Sequence, residues 1–154
     1  MFSKETWIEG EVLARNYMEK QGYKIIYTNL FCAGVELDIV AVLPKRKQLK
    51  ILKSAYKEKL KNAKSNEIKQ NLKRLFANFK KSLQNLLVIT EVKARLTNEF
   101  GEGLEAVDDA KQKHIIRGAE YLLQKPEFKN MQIRFDVASV DGGKVNYIEN
   151  AFTL

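Results

Sequence analysis

From Ser3, which is placed to cap a helix, to Gln21, apolar side chains recur at three- and four-residue spacing, and Gly22 follows where a C-terminal cap is expected. The spacing predicts a first helix. Its stripe of Trp7, Glu11, Ala14 and Met18 contains one member of the wrong kind, because Glu11 points along the apolar face instead of away from it. Tyr23 to Phe31 changes to β-branched and aromatic residues, Ala33-Gly34 reads as a turn, and Val35 to Leu43 is a second strand-like run that ends at Pro44. Together they predict a hairpin. From Gln48 to Leu86, Leu52, Tyr56 and Leu60, then Leu72, Leu75, Phe76, Phe79 and Leu83, fall three or four apart with lysines between them. Two amphipathic helices follow, broken near Ser65-Asn66.

Leu86 to Val92 is a nearly continuous apolar run of strand length, the pattern of a central strand covered on both faces. Polar sequence resumes abruptly beyond it, and residues 94 to 103, with Thr97, Asn98, Gly101 and Gly103, read as a loop at that strand end. Leu104 to Gln124 is helical in period, with Pro126 as a stop. Gln132 to Val140 and Val145 to Ala151 are strand-like around the turn Asp141-Gly142-Gly143. The expected fold is therefore α/β, a mixed central sheet flanked by helices, with no internal repeat.

A chain of 154 residues with 45% apolar composition can bury a core as one domain without disulfides or structural metal. The single Cys32 excludes an intramolecular disulfide, and with His114 as the only histidine there is no Cys/His cluster for zinc. A cytoplasmic, reducing compartment is expected, since the N-terminus lacks the pattern of a secretory signal and no stretch is long enough to span a bilayer. The net charge of +8 is unevenly placed. Residues 45 to 82 carry 14 Lys/Arg against Glu58 and Glu67, a balance of +12, so the remainder is −4.

Glu91-Val92-Lys93 ends the buried strand, and strand alternation puts Glu91 and Lys93 on one face while Val92 turns into the core. A solvated ion pair at a strand end is the plain alternative. Asp38 interrupts the apolar run Leu37 to Ala41 and needs a partner or a metal if buried, whereas on an edge strand it simply faces water. Glu11 on its apolar stripe needs either a structural partner or a functional one. Three carboxylates and a lysine at the polar ends of core elements suit phosphodiester hydrolysis. Mg²⁺ or Mn²⁺ accepts one or two carboxylates and keeps its waters, and a lysine can orient a water and stabilise charge on phosphate oxygens.

Several stretches together resemble the bacterial YraN family in order and spacing. They are Gly10-Glu11-Val12-Leu13-Ala14, Gln21-Gly22-Tyr23-Lys24-Ile25-Ile26, Glu36-Leu37-Asp38-Ile39-Val40-Ala41 and Glu91-Val92-Lys93-Ala94-Arg95. Phe100-Gly101, Glu105-Ala106-Val107, Lys111 and Arg134-Phe135-Asp136-Val137 complete the set. The resemblance implies a PD-(D/E)XK, restriction-endonuclease-like fold related in architecture to archaeal Holliday-junction resolvases. It implies that Glu11, Asp38, Glu91 and Lys93 fall on active-site positions, with Asp38, Glu91 and Glu11 as metal ligands, and that Lys111 is the recurrent basic position of the following helix. The match leaves out residues 45 to 85, a lysine-rich insertion where family members have a short turn between the second and third strands.

The leading expectation is thus a magnesium-dependent endonuclease acting on branched or structured DNA. Lys111, Arg95, Lys57, Lys61, Lys64, Lys73 and Arg74 would then be nucleic-acid contacts, and a homodimer would supply two sites. Two other classes stand beside it. One is a noncatalytic nucleic-acid-binding protein of the same fold, and the other makes the insertion a docking module for a partner or membrane. His114 reads as a surface histidine, Cys32 as a small buried side chain, Gln112 as a support for the site or the backbone, and Trp7 and the insertion's phenylalanines as core; Phe76 and Phe79 leave base stacking open.

Overall fold

A computed structural model describes residues 4–95 and 107–154, with side chains from Ile8 onward and without that of Arg95. The Ser3 cap, Trp7, the Arg95 side chain, the loop after Ala94 with Phe100-Gly101, and Glu105 therefore lie outside the described residues. The elements are α1 (Lys4–Gln21), β1 (Lys24–Cys32), β2 (Val35–Leu43), α2 (Lys45–Asn62), α3 (Asn66–Ser82), β3 (Leu86–Arg95), α4 (Asp109–Leu123), β4 (Gln132–Asp141) and β5 (Lys144–Phe152). The order and kind of these elements are those the pattern predicts. Several boundaries move by one to a few residues, and two of the differences have a visible cause. The fourth helix starts at Asp109 and not at Leu104, because the Asp108 carboxylate takes the Lys111 N–H at 2.8 Å and so caps the helix there. The third strand runs past Val92 to Arg95 because β4 pairs beside it to the end, Arg95 against Asp141.

One five-stranded sheet, in the order β1-β2-β3-β4-β5, organises the described residues. Only the β3–β4 pair is parallel, with α4 in the connection between them. This mixed sheet flanked by helices is the restriction-endonuclease-like arrangement. On one face Ala14 and Met18 of α1 pack with Ile39, Ala41, Val88, Val92 and Ala138, and on the other Ile115, Ala119 and Leu122 of α4 pack with Leu37, Val40, Leu87, Ile89 and Phe135. Central β3 feeds both cores, which is why its sequence is apolar at consecutive positions. Two glycines let the helices come close. A Cβ on Gly10 would sit 2.7 Å from the Ala94 Cβ, and one on Gly118 would sit 2.9 Å from a methyl of Leu37.

The basic segment is a helical hairpin standing off this body. Ser65 caps α3 through the Ile68 N–H at 3.2 Å, and the two helices meet through a Tyr56–Phe76 ring stack with centroids 4.5 Å apart. Neither helix buries a residue. The hairpin's two ends are tied at its root, where Gln48 Nε2 donates to the carbonyls of Leu43 (3.1 Å) and Gln84 (2.7 Å), and the Lys45 N–H donates to Asn85 Oδ1 at 2.9 Å. No helix among the described residues is long and apolar enough to cross a membrane.

Candidate active site

The site arises where β2 and β3 part. Their ladder ends with Ile39 opposite Thr90. The next β3 amide facing β2, the N–H of Val92, is satisfied by the Asp38 carboxylate, with Oδ2 accepting at 2.8 Å. Here a side chain stands in for a backbone partner, so the strands separate without orphaning a buried amide. The face alternation of β2 slips at the same place. Val35 and Leu37 pack on the α4 side, and so do Val40 and Val42, which leaves Asp38 at the step between them.

Glu91 is on the α4 face of β3, where Lys111 Nζ, from the first turn of α4, reaches its Oε1 at 3.0 Å. The Glu91 side chain is 11% exposed and that of Lys111 36%. Burial and the negative charge of Asp38 push the Glu91 carboxyl up to about 7, against the downward pull of Lys111. Asp38 is raised too, by burial above all, although the Val92 N–H and Lys111 oppose the shift. The two carboxyls are close enough to interact, a contact that raises Glu91 and lowers Asp38. For Lys111, burial works to lower the ammonium, but Glu91, then Asp38 and Glu36, outweigh it and the net shift is upward.

Glu11, half-buried on α1, accepts from Asn29 Nδ2 at 2.8 Å, and its charge adds to the upward pressure on Asp38. Asn29 lies between the rungs Leu30–Leu37 and Thr28–Ile39, so it is the cross-strand neighbour of Asp38, and its φ of 48° is left-handed. Lys93 is half-buried and shares a face with Glu91, since Val92 between them is in the α1-side core. The structure thus brings Asp38, Glu91 and Lys111 into one cluster with Glu11 beside it. No group of three or more His, Cys, Asp or Glu side chains is gathered for a metal among the described residues. Lys57, Lys61, Lys64, Lys73 and Arg74 are all exposed on the hairpin, away from this cluster. His114 is exposed, Cys32 is buried, and Gln112 Nε2 donates to the Val107 carbonyl at 2.6 Å, each as its sequence context suggested. Phe76 spends its ring on Tyr56, whereas Phe79 is exposed.

A second acid is buried on the α1 face. Asp136 has no exposed surface and accepts from Arg134 Nε (2.8 Å) and Nη2 (2.7 Å), the Tyr147 hydroxyl (2.7 Å) and the Asn150 N–H (2.9 Å). Arg134 also donates to the Tyr23 hydroxyl at 2.6 Å and to Glu149 at 3.3 Å. Burial drives the Tyr147 hydroxyl well above its usual range, and burial pushes Tyr23 up to about 12. Periodicity gave these residues no role. The signal that was available is an Arg-x-Asp pair in a strand, whose members share a face. Asn29 left a similar trace, an amide inside a β-branched run, where asparagine is disfavoured.

This carboxylate notch falls within a region shared with other proteins. The family model of the uncharacterised protein family UPF0102 matches residues 10–140. The chain belongs to this family. The UPF0102 protein of Caldanaerobacter subterraneus subsp. tengcongensis is 31% identical, with 93% of this chain and 90% of that protein covered. That of Caldicellulosiruptor saccharolyticus is 30% identical over 99% of this chain and 100% of its own length, and that of Clostridium perfringens 27% over 99% and 98%. UPF0102 is the YraN family that the motifs resemble, and its match spans both Glu11 and the strand bearing Glu91 and Lys93.

Proposed function

We propose that the notch between β2 and β3 is a metal-dependent phosphodiester-hydrolysing site that acts on branched or structured DNA. The observation that carries this reading is the convergence of two half-buried carboxyls at one notch, Asp38 fixed by the Val92 N–H at 2.8 Å and Glu91 by Lys111 Nζ at 3.0 Å. Burying two acids against each other costs stability unless positive charge is brought to them. A hard divalent cation fits this donor set, which is oxygen only and needs no third protein ligand when phosphate and water complete the shell. Asp38 and Glu91 would hold it, with Glu11 close by. When bound, Mg²⁺ or Mn²⁺ supplies Lewis acidity to a phosphate oxygen and acidity to a coordinated water.

The chain's own groups do the remaining work. The Val92 N–H fixes Asp38, and the salt bridge to Lys111 fixes Glu91, so neither acid has to be ordered when substrate arrives. Lys93, on the Glu91 face, directs its ammonium to the charge that develops on the phosphate as the bond to the leaving oxygen breaks. This role is confined to the transition state. Lys93→Ala should therefore leave DNA affinity within a few-fold while slowing cleavage by roughly a hundredfold or more, the scale of losing one preorganised electrostatic group. Single-turnover cleavage of branched, single-stranded and duplex DNA, with Mg²⁺ or Mn²⁺ saturating, tests it. Wild-type rates in the Lys93→Ala protein would falsify the reading, and no cleavage of any substrate by wild type would leave a noncatalytic nucleic-acid-binding protein.

A further inference from the structure

The hairpin and the notch occupy opposite ends of the same two strands. The hairpin leaves from Leu43 and returns at Leu86, which pair as the last rung of the β2–β3 ladder. Asp38 and Glu91 each lie five positions along from that rung. At about 3.3 Å per residue, roughly 17 Å of strand separates the hairpin's root from the carboxyls. Near its start α2 touches the body, with Lys47 at Gly22 and Ile51 beside Tyr17 and Tyr23, and no residue of α2 or α3 is buried.

We propose that the α2–α3 hairpin is a separate phosphate-holding arm, so that a nucleic acid engaged there must reach across the sheet to enter the notch. The reach, though not the arm's own binding, rests on the notch being where a phosphodiester is cut. Of the 14 basic residues in positions 45 to 82 only Arg46 and Arg74 are arginines. Lysine is a point charge on a flexible stem, suited to neutralising phosphates without reading bases. The lysines of α2 recur at positions 45, 47, 50, 53, 57, 59 and 61, and at about 100° per residue they surround the helix. A docked protein segment would meet such charge on one side only, whereas a polyanion that shifts along the arm meets it on every side not packed against α3 or the body. With −4 left on the rest of the chain, the arm is also where an anion is drawn first.

The test separates holding from cutting. Binding of labelled duplexes from about 4 to about 24 base pairs is measured without divalent cation, for wild type and for a variant with Lys57→Glu, Lys61→Glu, Lys64→Glu, Lys73→Glu and Arg74→Glu. The expected result is an affinity for the longer duplexes at least about a hundredfold weaker and a flatter salt dependence, by about 0.9 in slope for each phosphate no longer neutralised. The same five positions changed to Gln, with helicity checked by circular dichroism, should give a smaller loss in the same direction. Equal affinity and salt slope in both variants would overturn the proposal. So would polyglutamate displacing duplex as well as unlabelled duplex does, an outcome that hands the arm to an acidic protein partner.

With Mg²⁺ present, cleavage should become efficient only when duplex extends beyond about 5 base pairs from the cut, the length that covers the roughly 17 Å at about 3.4 Å per pair. Equal kcat/KM for shorter and longer substrates would remove the reach while leaving the nuclease reading intact. Length-dependent binding with no cleavage would remove the nuclease reading, and the reach with it, while leaving the arm's own binding in place.

Discussion

β3 has a carboxylate problem on each of its faces, and the two are solved differently. On the α1 face Asp136, beside Thr90 in the parallel ladder, is completely buried yet takes four hydrogen bonds, two of them from one guanidinium. On the α4 face burial raises the carboxyls of both Glu91 and Asp38, Asp38 raises Glu91 further, and Lys111 reaches Glu91. The first arrangement is closed, because its charge is matched and its lone pairs are used. The second has the Val92 N–H and Lys111 among its described partners, and the proposed cation would add to these. A buried acid is therefore not evidence of function until its partners are counted.

The contrast can be broken most directly at Asp136. Asp136→Ala strands Arg134, Tyr147 and the Asn150 N–H in a closed region, and it should cost about 3–5 kcal/mol in urea unfolding, the range for breaking a buried ion pair from one side. Asp38→Ala should cost less, since the repulsion it relieves offsets part of the loss of the one hydrogen bond to the Val92 N–H. Equal losses would mean that the two clusters are alike. Next in size is the response to Mg²⁺ or Mn²⁺. At a hundred times its Kd the cation should stabilise wild type by about 2.7 kcal/mol in thermal unfolding, and Asp38→Ala should abolish that rise. Tyr147→Phe, which touches only the closed cluster, should keep it.

The smallest effect concerns protons. Glu91 holds its proton up to about 7 in the folded chain, whereas an unfolded glutamate releases it near the ordinary value of 4.5. Between those values the folded state binds more protons at this group, so its contribution to stability is full below about 4.5 and is lost as pH rises through about 7. Glu91→Gln should remove this slope and be more stable than wild type at pH 8 by about 1–2 kcal/mol, less than the full shift implies because the ion pair with Lys111 is lost with the charge. An unchanged slope in stability measured from about pH 4 to about pH 8 would mean that Glu91 is not the group titrating there.

Legibility in the sequence followed the range of the forces involved. Helix and strand periods are local, so every element was visible, and the apolar run at Leu86 already implied a central strand. The misplaced start of α4 has a simple cause. Leu104 fits the apolar stripe, but the Asp108 cap decides the start, and the periodicity does not register it. For the site, Asp38, Glu91 and Glu11 stood out as acids in apolar patterns. What periodicity could not supply was the parting of β2 and β3, the pairing of Lys111 with Glu91, or the use of Asn29 by Glu11, all of which depend on cross-strand register and helix placement. Arg134 and Asp136 were noticed only as part of a resemblance, because a satisfied buried pair reads in sequence as two ordinary polar residues.

The clamp formed by Gln48 at the hairpin's root also bears on how the chain folds. Closing an unstructured loop over residues 44 to 85 would cost roughly 2 kcal/mol more than closing a tight turn, because the entropy of closure grows with the logarithm of loop length. Two helices joined by the short segment around Ser65 and held by the Tyr56–Phe76 stack rely on near neighbours in sequence, the contacts that form earliest. Once zipped, they deliver Leu43 and Leu86 to each other. The central rungs of the sheet can then assemble as though the intervening chain were only a few residues long.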